Sequence, residues 1–202
     1  MEIIDITEDK FLIKKLSIEA VKNNNANHRN TKNYIELEKR DYLKFHILKE
    51  EDKIISFAGM YRHPTWPKNI IRIVDRMYTF FEFRVKNGNG FSSKKPNVNQ
   101  NNDHGGLCSG KLIPHQHKIA KELNLIPFVS IQLLSRRRVV NRWLNNRIDK
   151  SLGFKLLDEM HYTCGGDPKI NILCWQNILS TQEINLPSMD IEMYNHTFKK
   201  EK

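Results

Sequence analysis

Apolar residues recur along this chain at two periods, two and about three and a half, and the switches between them mark out the elements. Glu2-Ile3-Ile4-Asp5-Ile6 reads as a short first strand, with Thr7 as the cap of the helix that follows. From Lys10, the apolar set Phe11, Leu12, Leu16, Ile18, Ala20 and Val21 predicts an amphipathic helix that ends in the Asn-rich break at 23–27, and a second helical piece is expected over 31–40. A β block comes next. Residues 42–48, a charged turn at 49–53 and residues 54–62 predict a hairpin, which Pro64 and Pro67 around Trp66 bring to an end. The branched and aromatic run 69–83 predicts a third strand of this antiparallel set.

Residues 85–109 are rich in Gly, Asn, Ser and Pro and predict a long loop insertion. Leu112, Ile113, Ile119, Ala120 and Leu123 then recur at helical spacing, with Pro114 expected in the first turn, and 126–134 reads as a buried strand. Strand, crossover helix and strand imply that 69–83 and 126–134 run parallel. An Arg-rich helix over 136–150 stops at Leu152-Gly153-Phe154, and strand-like runs at 155–163 and 170–175 close the chain as a hairpin. The order β, helices, β-β-β, α, β, α, β-β predicts an α/β (α+β) fold: a single mixed, mostly antiparallel twisted sheet with helices on both faces. One domain over 1–177 is expected, followed by a polar C-terminal arm over 178–202.

Composition narrows the setting. The chain has 202 residues, 39% of them hydrophobic, with no apolar run near the roughly 20 residues a bilayer span needs. Its start lacks the basic-then-apolar order of a signal peptide, so a soluble, cytoplasmic protein with no membrane partner is expected. Cys108, Cys164 and Cys174 are an odd, irregularly spaced set and predict free thiols. The net charge is +10, and between Gly110 and Lys150 nine Lys and Arg oppose Glu122 and Asp149, so 9 − 2 = +7 lies in that stretch. Such local excess suggests an anion site: nucleic acid, acidic lipid or a phosphorylated cofactor.

The charged-tip hairpin closing on Ile55-Ser56-Phe57-Ala58-Gly59-Met60-Tyr61, and the run from Asn141 through Leu152-Gly153-Phe154, resemble the GNAT superfamily of acyl-CoA-dependent N-acyltransferases. Cys174-Trp175-Gln176-Asn177 is also similar to an ending found in GNAT-like proteins of marine phages, which would put the chain in a host cytoplasm. The resemblance implies that the central parallel strands 69–83 and 126–134 splay apart and bind the pantetheine of acetyl-CoA or another acyl-CoA. It implies too that the following helix presents its N-terminal N–H groups to the pyrophosphate, with Gly105, Gly106, Ser109, Gly110 and Lys111 at that point. The family's usual Gly-rich loop sits closer behind its strand than the insertion here allows, and Asn87-Gly88-Asn89-Gly90 is a second Gly-x-Gly.

Acyl transfer to an amine needs proximity, a base for the ammonium proton and a donor to the leaving thiolate. Glu82, among Phe80, Phe81 and Phe83, is the candidate base, because an aromatic setting raises a carboxylate pKa. Tyr78 on the same strand is a candidate donor or a packing residue. Asp149 stands where the resemblance would put a Tyr acid, which leaves Tyr162 or His161 to substitute. Arg138 and Arg142 share a helix side suited to the adenosine phosphate or an acidic acceptor. His104, Cys108, His115 and His117 match no zinc spacing, so no metal is expected. The acceptor expected is an amine on a small molecule or peptide, with a homodimer compatible. The alternative is a catalytically degenerate binding module of the same fold that contacts nucleic acid or a protein through its basic helix. A structural protein of a phage particle is a third reading.

Overall fold

In the computed structural model, which describes residues 1–24, 34–64, 66–80, 83, 104–133, 152–164 and 172–184, the elements follow the order β1 (Glu2–Asp5), α1 (Lys10–Asn24), β2 (Tyr42–Glu50), β3 (Lys53–Tyr61), β4 (Ile70–Thr79), α2 (His104–Glu122), β5 (Ile126–Leu133), β6 (Lys155–Cys164) and β7 (Ile172–Ser180). Strand neighbours form one mixed seven-stranded sheet, β1-β2-β3-β4-β5-β7-β6. The expected charged-tip hairpin is β2–β3, and β4 pairs with β5 in parallel, as a strand–helix–strand order requires.

By its contacts the chain divides into two units, Met1–Tyr61 with Ile73–Lys118, and Arg62–Arg72 with Ile119–Lys202. In the first unit, α1 lies over one face of β1–β4. Ile13, Leu16 and Ala20 of α1 join Phe45, Ile47, Phe57, Tyr61, Tyr78 and Phe80 in a single buried cluster. Aromatic rings dominate this layer: Phe57 stacks on Phe45 at 5.7 Å and on Tyr78 at 5.6 Å between centroids. Tyr42 lies flat across Gly59, where a Cβ would come within 2.1 Å of its ring, so only glycine fits there.

Local chemistry sets the ends of α1 differently from expectation. Asp9 is the cap: its Oδ1 accepts the Leu12 N–H at 2.8 Å. Thr7 instead ties strands together, its Oγ1 accepting the Phe45 N–H at 2.8 Å and donating to Asp5. Phe11 and Ile18, expected on the buried face, are 82% and 45% exposed, because Ile13, Leu16, Ser17 and Ala20 form the inward stripe. Of the helix expected over 31–40, the described part, 34–40, holds 3-10 and turn conformation and no α-helix, with a 3-10 turn at Leu37–Lys39.

The second unit carries the 70–72 end of β4, with β5, β6 and β7. Parallel pairing joins Ile70 with Ile126, Ile71 with Pro127 and Arg72 with Phe128. Trp66, Ile70, Phe128 and Ile178 form its core cluster, with Trp66 edge-on to Phe128 at 5.2 Å. Gly153 adopts φ +75°, the left-handed conformation expected of a glycine helix stop, and delivers the fully buried Phe154 to the start of β6. Strand β7 runs to Ser180, past the boundary expected at 177, and buries Ile178 and Leu179.

Candidate functional site

Among the described residues, unusual backbone and buried polar chemistry coincide in the middle of β4. Val74 has φ +49° and Arg76 φ +52°, both left-handed, on either side of Asp75. A β-branched residue at positive φ is disfavoured, and such positions hold only where their surroundings over-determine them.

Those surroundings are polar on both faces. From α2, Gln116 reaches down with Oε1 accepting the Val74 N–H at 2.7 Å and Nε2 donating to the Ala58 carbonyl at 3.1 Å. Its Nε2 also lies 3.0 Å from Nδ1 of His46. The two backbone partners fix which way the amide points, so His46 must offer Nδ1 as an acceptor and carry its proton elsewhere. Burial, with His115 edge-on at 4.8 Å, pushes His46 down from 6.5 to about 4, which keeps it neutral.

On the α1 face, the fully buried Asp75 carboxylate accepts the Tyr42 hydroxyl at 3.2 Å and pairs with Arg40 at 3.4 Å. Arg76 lies 4.0 Å away on the other oxygen. Arg40 itself sits 4.0 Å above the Tyr61 ring. Burial and then Asp75 raise the Tyr42 phenol well above its ordinary value, so it stays protonated and donates.

Of the sequence candidates, Tyr78 is 3% exposed and packs in the aromatic core against Phe57, Phe80 and Tyr34. Gly105 and Gly106 are in the first turn of α2 and Ser109 and Gly110 in its second, not in a loop before it, because the helix begins at His104. Lys111 is exposed on the same helix. Pro114 falls in the helix interior instead of the first turn; its missing N–H leaves the Gly110 carbonyl without its usual intrahelical donor. Tyr162 is on β6 opposite Cys174, while Cys164 is opposite Ile172, so the two thiols do not share a register position. Glu82, Arg138, Arg142, Asp149 and the expected helix 136–150 lie outside the described residues. No group of three or more His, Cys, Asp or Glu that would hold a metal occurs among the described residues. No described helix is long and apolar enough to cross a membrane.

Gln116, His46, Asp75 and Arg40 were not singled out from sequence. A signal existed for two of them: Asp75 interrupts an apolar strand, and Gln116 falls on the buried stripe of α2 with Leu112, Ile113 and Ala120.

No protein-family model matches the chain, and no curated protein does. Solved structures do. The ribosomal-protein-S18-alanine N-acetyltransferase of Escherichia coli aligns over 92% of this chain and 97% of its own, with a TM-score of 0.52 at 12% identity. Aminoglycoside 6'-acetyltransferase type Ii aligns over 93% and 100%, with a TM-score of 0.51 at 12% identity. A Salmonella typhimurium protein solved with its cofactor acetyl-CoA aligns over 93% and 98%, with a TM-score of 0.50 at 16% identity. The fold is that of the GNAT acetyltransferases. At these identities the likeness concerns the fold alone.

Proposed function

We propose that the chain is an acyl-CoA-dependent N-acyltransferase that moves an acetyl or other acyl group to an amine. The observation that carries this reading is the GNAT fold, shared over 92% of the chain with an N-acetyltransferase and over 93% with a structure that holds acetyl-CoA. The distorted middle of β4 adds to it, since Val74 and Arg76 hold positive φ inside a strand, the kind of backbone kept where a function requires it.

In the reaction the amine nitrogen attacks the thioester carbon, the C–N bond forms, and the C–S bond breaks. The base takes the ammonium proton, and the thiolate leaves as the free thiol of CoA after protonation. Glu82 is proposed as the base and Tyr162 as the proton donor. Gly105 and Gly106, in the first turn of α2, are proposed to receive phosphate oxygens on open N–H groups. Ser109, Gly110 and Lys111 extend that site, and Arg138 and Arg142 pair with the adenosine phosphate. The acceptor class is an amine on a small molecule or a peptide, which spans the aminoglycoside and ribosomal-protein alanine named for two of the similar structures.

Calorimetric titration with acetyl-CoA tests the proposal. Saturable heat and a rise in melting temperature at excess ligand are expected; the absence of both would overturn it.

A further inference from the structure

Strand β4 holds two left-handed, non-glycine residues where a regular strand would need none, and a different buried polar group braces each face of that distortion. On the α2 face a single amide, Gln116, connects three strands: it takes the Val74 N–H at 2.7 Å in β4, gives an N–H to Ala58 O at 3.1 Å in β3, and meets His46 Nδ1 at 3.0 Å in β2. The Val74 N–H is thus satisfied by a side chain. On the α1 face, Asp75 is drawn toward Tyr42 at 3.2 Å and Arg40 at 3.4 Å.

Bracing of this kind is an expensive way to obtain stability alone. Buried polar groups lose their water, and a leucine at 116 with a valine at 75 would satisfy an ordinary strand without them. What the polar groups do that apolar ones cannot is fix the direction of a backbone N–H and of the side chain next to it. Each bond is directional, and the amide can satisfy its partners in only one orientation. Rigid support of this kind belongs with sites whose geometry has to be held before ligand arrives.

We propose that Gln116 and Asp75 are positioning residues, which clamp residues 74–76 of β4 from opposite faces of the sheet in the backbone form that receives the acyl thioester. The inference rests on the acyltransferase reading and deepens it: neither side chain needs to touch ligand, and both act through the strand. Its consequence is that the clamp governs recognition of the acyl group and not of the nucleotide. Its loss should therefore separate acetyl-CoA from CoA.

The test is calorimetric titration of the full chain and of Gln116→Leu with acetyl-CoA and, separately, with free CoA. The wild type is expected to bind acetyl-CoA at least several-fold more tightly than CoA. In Gln116→Leu that preference should fall to about one, with CoA affinity within about two-fold of wild type. Gln116→Glu, whose neutral acid can still accept from Val74 N–H and donate to Ala58 O, should restore most of the preference. A purely structural role would instead weaken both ligands together. If Gln116→Leu does not fold, Asp75→Asn attacks the clamp from the other face, and a several-fold loss of acetyl preference is expected there. A folded variant that retains the wild-type preference overturns the inference, and so does a wild type that binds both ligands equally. A wild type that binds neither ligand overturns the acyltransferase reading, and the inference with it.

Discussion

The two faces of the sheet in the first unit solve different problems. Under α1 the layer is mainly aromatic, with Phe45, Phe57, Tyr78 and Phe80 packed ring against ring and Asp75, held by Tyr42 and Arg40, as its buried charge. Under α2 the strands are joined by a directional polar tie through Gln116 and His46. Area removed from water stabilises without caring much about angles, whereas a hydrogen-bonded amide adds little net stability yet fixes them. The aromatic packing of the first face should therefore carry most of the folding free energy, and the polar ties, Gln116 on the second face with Asp75 on the first, most of the geometry of β4.

The sharpest way to break this contrast is Phe57→Ala. Phe57 is fully buried and touches rings on several sides, so a loss of about 3–5 kcal/mol is expected in urea denaturation. A loss under about 1 kcal/mol would remove the apolar face from its assigned role.

The α2 face answers to pH. His46 falls from 6.5 to about 4 in the folded chain, so between those values the unfolded chain binds more protons. Stability is then fully present above 6.5 and is lost as pH falls toward 4, by on the order of 3 kcal/mol at most. Protonation would also turn the His46 acceptor into a donor facing the Gln116 N–H. Thermal melts from pH 7 to pH 4 should show the slope, and His46→Gln should flatten it.

Gln116→Leu comes next in size. It leaves the Val74 N–H and the Ala58 carbonyl without their partner, each worth about 1–3 kcal/mol, against which the added apolar contact works. A net loss of about 1–3 kcal/mol is expected, and a gain in stability would show that the amide is dispensable to the fold.

The smallest effect is expected at the edge. Lys44 pairs with Asp5 at 2.6 Å, both side chains well exposed, so Lys44→Ala should cost less than about 1 kcal/mol, and less still in high salt. Burial alone would raise Asp5, but hydrogen bonds from Lys44 and Thr7 outweigh it and bring the carboxyl from 3.8 to about 2. That contribution is present above the unfolded value of 3.8 and disappears as pH drops toward 2. Lys44→Ala should weaken it, seen as a shallower stability slope in that acid window.

Where a local rule has a single solution, the sequence could be read. The hairpin β2–β3 follows from alternation and a charged turn, the parallel β4–β5 pair from the intervening helix, and the positive φ at 153 falls on a glycine, the one residue that takes it freely. Where two residue types compete, it could not. Asp9 and Thr7 are both good caps, and the Phe45 N–H, which donates to Thr7 Oγ1, decides between them. Phe11 looks like core, but Ile13, Leu16 and Ala20 already fill the inward stripe. The distortion at Val74 is illegible for a deeper reason: valine favours extended strand, and the groups that hold its positive φ, Gln116 on Val74 itself and Tyr42 and Arg40 on the neighbouring Asp75, come from elsewhere in the chain. The fold was therefore more legible than the site, which depends on long-range pairs separated by 33 to 70 positions.

Gly59 will mislead anyone who ranks positions by how few substitutions survive. The Tyr42 ring occupies the place of its Cβ at 2.1 Å, so a saturation library should return almost nothing but glycine there. That intolerance will look like the signature of a catalytic position, although Gly59 contributes no functional group. Pairing the library with smaller residues at 42 would separate the two meanings, because a packing veto lifts when the ring is removed, whereas a chemical requirement does not.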